Sequence, residues 1–134
     1  MTEPMRVDFP ALEAFFQADG NLIFATVFGS ARDGMIAPGS DLDVAALSRI
    51  PLRPGAEYLD YYLRLCAVVP TIESVGFVNL NTANTILAFE ALRGRLICKN
   101  DPEATASFTS LVCREYEDVM GHLAHQRWLC TQAA

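Results

Sequence analysis

The densest apolar run in the chain, Leu22 to Phe28, contains no charge and is rich in β-branched and aromatic side chains. Such a run predicts a strand covered on both faces. Ahead of it, Pro10, Leu12, Phe15 and Phe16 predict a short helix entered through a proline in its first turn and ended by Gly20. Behind it, Gly29 to Ser40 holds three glycines and a proline, which marks a loop. Asp41 to Leu47 then returns to apolar alternation, a second strand beside the first. Pro51 to Gly55 is a further loop. Between Glu57 and Val69 the positions Tyr58, Leu59, Tyr62, Leu63, Leu65 and Cys66 predict a core-facing helix stopped by Pro70.

Ser74 to Leu80 reads as a third strand. Asn84 to Arg93 reads as a helix with Ile86, Leu87, Phe89 and Leu92 inward and Gly94 as its end, followed by a short strand at Arg95 to Cys98. Asp101 and Pro102 form a cap and first-turn pair. The long helix they open carries Phe108, Leu111, Val112, Glu115, Tyr116, Val119 and Leu123 at intervals of three and four. The expectation is one α/β (α+β) domain over residues 1–134, a small mixed sheet with flanking helices and a long C-terminal helix.

Composition narrows the functions open to such a domain. The 134 residues are 51% hydrophobic, enough for a real core. A net charge of −6 repels phosphate backbones, so nucleic acid is not the expected bulk partner. Cys66, Cys98, Cys113 and Cys130 lie far apart with no paired spacing, which suits reduced thiols and a cytoplasmic setting. The N-terminus, with Glu3 and Asp8, lacks a basic flank followed by an apolar run, and no apolar stretch approaches a membrane span. Neither export nor membrane insertion is expected.

The chemistry concentrates in VFGSARDGMIAPGSDLDVAAL, Val27 to Leu47. A glycine directly after a buried strand lets the backbone approach a ligand, and a turn beyond it aims N–H groups and the Ser30 hydroxyl at an anion such as phosphate. Asp41 and Asp43, two apart on a strand, share a face and are able to share a hard cation. Mg²⁺ favours one or two carboxylates completed by substrate phosphate oxygens, so a phosphate cradle opposite paired carboxylates points to a metal–nucleotide site. A lone Gly-Ser turn or a lone Asp-x-Asp pair would carry little weight, since each is common as a plain turn or a solvated strand face.

The combination of Gly29-Ser30, a ten-residue interval and Ser40-Asp41-Leu42-Asp43 between two apolar strands closely resembles the signature of polymerase-β-like nucleotidyltransferases. Within them the size and element order resemble the minimal nucleotidyltransferases, specifically MntA-like antitoxins paired with HEPN-domain toxins. Phe77 to Asp101 is similar to that family's strand–turn–helix–strand segment, and the helix from Pro102 resembles its C-terminal helix. The resemblance implies Mg²⁺-dependent transfer of AMP from ATP onto a tyrosine hydroxyl of a partner HEPN RNase toxin, within a hetero-oligomer. By position, Gly29, Ser30 and Ser40 would bind the nucleotide, and Asp41 and Asp43 would be catalytic and ligate the metal.

Two departures stand against that pattern. Gly76 falls where a third carboxylate is expected and Asn79 replaces a second acid, leaving Glu73 as the nearest carboxylate. Asp33 stands where a basic residue is usual, with Arg32 one place earlier. These favour, as the alternative, a protein that neutralises its toxin by binding alone. A small-molecule transferase is a third reading, although little chain is left for a substrate domain. His122, His125, Cys113 and Cys130 match no closed zinc spacing. Tyr58, Tyr61 and Tyr62 are read as packing rather than base stacking, and Arg93 and Arg95 as caps of a helix end, with contact to nucleotide or partner as their lesser reading. Trp128, past the regular apolar stripe, is a candidate partner contact.

Overall fold

The computed structural model describes residues 4–133. Its core is a sheet of four strands, β2 (Leu22–Phe28), β4 (Leu42–Ser48), β5 (Val75–Asn79) and β6 (Arg95–Lys99), in the order β5-β4-β2-β6. β4 and β5 run parallel, whereas β2 lies antiparallel to both β4 and β6. A two-stranded piece, β1 (Met5–Arg6) against β3 (Met35–Ile36), braces the loop that leaves β2. The mixed sheet, the flanking helices and the long final helix are all present as expected.

Each face of the sheet is covered by two helices. Alternate residues of β2 and β4, among them Ala25, Val27, Leu42, Val44 and Ala46, pack with Leu12 and Phe16 of α1 (Phe9–Gln17) and Tyr61 and Leu65 of α2 (Ala56–Val68). The intervening residues Phe24, Phe28, Ala45 and Leu47 pack with Ala88 and Ala91 of α3 (Thr85–Leu92) and Val112 of α4 (Pro102–Ala133). Strands buried on both faces account for the continuous apolar runs.

Helix ends follow local side chains. Asp8 caps α1 by accepting from Ala11 N at 3.1 Å, Asn84 caps α3 through Leu87 N at 2.9 Å, and Asp101 caps α4 through Ala104 N at 3.0 Å. Gly20 does not end α1, which stops at Gln17 with Ala18 as its cap, and Asp19 carries the turn by accepting from Asn21 N. The inward stripe of α2 runs through Tyr58, Tyr61, Tyr62 and Leu65, while Leu59 and Leu63 are exposed, contrary to expectation. The cause is phase: 58, 61, 62 and 65 follow the helical period, and 59 and 63 sit off it. Ile86, Leu111 and Leu123 are likewise exposed, and Ala88 and Ala91 take the inward places of α3. Past Met120, every described α4 side chain is exposed. No helix among the described residues is long and apolar enough to cross a membrane.

Candidate active site

β2 delivers the chain to Gly29 at one edge of the sheet, where a positive φ of +70° turns it sharply and a short 3₁₀ turn, Gly29–Ala31, follows instead of an α-helix. Ser30 and Arg32 are exposed on this turn. The loop then returns through Gly34, whose φ is +98°, and Asp33 closes a local turn by accepting from Met35 N. β4 starts at Leu42, so Asp43 lies inside the strand and Asp41 just before it, a correction to the expected strand start.

Register places Asp43 opposite Phe28 on β2 and beside Gly76 on β5. Its carboxylate is wedged between two glycines: a Cβ on Gly29 would come 2.7 Å from one Asp43 oxygen, and a Cβ on Gly76 2.8 Å from the other. Asp43 alternates with Ala45 and Leu47, which places it on the face that α3 and α4 cover. Burial pushes the Asp43 carboxyl above the usual carboxylate range, and the neighbouring Asp41 charge pushes it further. The ion pairs among the described residues involve neither aspartate. Two carboxylates held together without a protein cation are a donor set suited to a hard divalent ion, though no cluster of three or more metal-ligating side chains occurs among the described residues.

The other expected residues divide. Ser40 is half-buried and borders a separate recess of about 150 Å³ with Gly39, Ile72 and Glu73, so the structure brings Glu73 near Ser40. Gly76 lies on the rung beside Asp43. Asn79 does not: it pairs with Ala46 at the far end of β5 and closes a turn by accepting from Asn81 N. His122, His125 and Cys130 are exposed on the distal part of α4. Sequence reasoning missed a second recess, about 100 Å³, lined by Gly29, Arg32, Glu90, Arg93 and Gly94. The basic pair around Gly94 was its only signal.

Residues 11–103 match the model of the family described as polymerase beta, nucleotidyltransferase. The chain belongs to this family. No curated protein matches it by sequence. Among solved structures, this nucleotidyltransferase is similar to a chain in a toxin–antitoxin complex with AMP-PNP, at 18% identity and TM-score 0.72, over 87% of this chain and 92% of that one. A toxin–antitoxin MntA complex carrying two aspartate-to-glutamate substitutions two positions apart gives 16% identity and TM-score 0.74 over the same shares, 87% and 92%. A complex of the tri-AMPylated Shewanella oneidensis HEPN toxin with its MNT antitoxin gives 16% identity and TM-score 0.66, over 85% of this chain and 87% of that one. At these identities the likeness is one of fold.

Proposed function

We propose that this nucleotidyltransferase is an antitoxin that transfers AMP from ATP to a tyrosine hydroxyl of a partner HEPN-type RNase toxin. The observation that carries the reading is the Asp43 carboxylate seated against the Gly29 turn with the Asp41 charge beside it. The AMP-PNP complex and the AMPylated toxin among its fold relatives support the same chemistry. In this account the Gly29 turn lets the triphosphate come close to the backbone and the Ser30 hydroxyl donates to a phosphate oxygen. Asp41 and Asp43 would hold Mg²⁺, which would supply activation of the acceptor hydroxyl and neutralise the departing charge. The tyrosine hydroxyl releases its proton to water, its oxygen bonds to the α-phosphorus, the bond from that phosphorus to the bridging oxygen breaks, and pyrophosphate leaves. Trp128, 56% exposed on the distal part of α4, offers an aromatic contact to the toxin.

Gly76 beside Asp43 favours a second reading, neutralisation by contact alone. Co-expression with a HEPN-type toxin separates the two. Mass spectrometry of the recovered toxin is expected to show tyrosines bearing adenylyl groups. An unmodified toxin in a stable complex would replace transfer by contact.

A further inference from the structure

The second recess touches the proposed nucleotide site without any role so far. Gly94 creates it, because residue 94 is pressed against β2: a Cβ there would overlap the Val27 carbonyl oxygen and lie 2.7 Å from Phe28 Cβ. That close approach sets the end of α3 next to the point where β2 ends in Gly29, and it is the face of the sheet on which Asp43 lies. Two guanidinium groups and one carboxylate, Arg32, Arg93 and Glu90, line the recess with Gly29 and Gly94.

Charge makes this arrangement informative. Asp33, Asp41 and Asp43 bring three acids to the glycine loop and the following strand, while Arg32 is the one cation between Gly29 and Asp43. A nucleoside triphosphate adds several negative charges, and a single divalent ion does not offset such a sum. The nearby arginines differ in how firmly they are held. Arg95 lies over the Phe9 ring at 3.8 Å, committed to that stack. Arg93 reaches Glu90 only at 3.6 Å, with both side chains more than half exposed, and stands 6.0 Å from the Phe89 centroid. Arg32 has no ion pair among the described residues.

Resting on the nucleotidyltransferase reading above, we propose that Arg93 and Arg32 together grip the β- and γ-phosphates of the nucleotide, the part that leaves as pyrophosphate. A guanidinium fork matches two phosphate oxygens and its charge persists at every working pH. Glu90 holds Arg93 loosely at the recess wall and gives way when phosphate enters. Arg93 thus supplies the cation that Asp33 withholds from the glycine loop.

Equilibrium binding of ATP, pyrophosphate and AMP, each with Mg²⁺, to the full chain and to Arg93→Ala, Arg93→Lys and Arg95→Ala tests the proposal. Arg93→Ala is expected to weaken ATP and pyrophosphate about tenfold while AMP changes less than about twofold, because only the outer phosphates lose a charged partner. Arg93→Lys is expected to recover part of the loss, and Arg95→Ala to leave all three ligands bound as before. Unchanged pyrophosphate affinity in Arg93→Ala would overturn the proposal and leave the nucleotide site standing. An equal loss for all three ligands would overturn it in favour of a structural role. A wild-type chain that binds neither ATP nor pyrophosphate would overturn the underlying reading as well.

Discussion

The Asp43 carboxylate sits between two glycines, Gly29 and Gly76, and that fact shapes what a substitution does there. A Cβ at Gly76 would meet an Asp43 oxygen at 2.8 Å, so Gly76→Asp forces the existing carboxylate to shift slightly and sets a third acid beside it. Three clustered carboxylates repel unless a cation joins them. The variant is expected to melt at lower temperature than wild type in EDTA and to regain the loss on adding Mg²⁺, with faster AMP transfer in a radiolabel assay. No Mg²⁺-dependent recovery in the melting curves would show that residue 76 does not reach the metal. The placing of Gly29 at the end of β2 and of Asp43 on β4 was legible in the sequence, because turn and strand belong to one local antiparallel unit, whereas Asp41 falls just before the strand. Asn79 was misplaced because the β4–β5 register, which puts it opposite Ala46, cannot be read from strand pattern. Arg93 faces Gly29 only because Gly94 lets α3 and β6 dock closely on β2, a tertiary fact without a local motif.

At the scale of elements, the four sheet strands and four helices were readable, but the short β1–β3 pair, inside stretches without a strand pattern, and the helical phases were not. The four sheet strands and four helices fall where apolar runs, prolines and caps put them. Helical faces were harder, since α2 and α3 carry more apolar residues than their buried stripes need, leaving Leu59, Leu63 and Ile86 in solvent. In α4 the same ambiguity gives a test. Phe108 packs on Phe24 with ring centroids 5.7 Å apart, whereas Leu111 is 45% exposed. Phe108→Ala is expected to cost about 2–3 kcal/mol in urea unfolding, below the range for a fully buried ring, and Leu111→Ala less than about 0.5 kcal/mol. Equal costs would mean that α4 is rotated from the phase described.

The start of α4 carries a pH signature. The Ala104 N–H bonded to the Asp101 carboxylate holds that group below its usual range, and the Arg49 guanidinium 2.8 Å away acts in the same direction. A lowered folded-state value means stabilisation that is present above the ordinary aspartate range and is lost as pH falls through the folded value. Asn at 101 keeps a capping oxygen but neither titrates nor pairs with Arg49 as an ion. Wild type should therefore melt higher than Asp101→Asn at pH 7, with the gap closing as the pH drops below about 4, near the unperturbed aspartate value. A gap independent of pH in thermal melts would contradict the capping account.

Across the whole molecule, an acidic chain presents one cation-lined recess beside paired carboxylates, and a distal helix segment whose described side chains all face solvent. The first suits a metal–nucleotide complex, and the second suits a protein partner. If the partner is the proposed toxin, a basic surface on it would complement the net charge of −6 and make association salt-sensitive. Everything in this account depends on the aspartates binding nucleotide through metal. Calorimetric titration of ATP with Mg²⁺ into wild type and the Asp41→Asn, Asp43→Asn double variant tests that most directly. The account predicts measurable binding by wild type, a loss of at least about a hundredfold in the variant, roughly 2.8 kcal/mol, and a variant that remains folded. A folded double variant with wild-type affinity would contradict it.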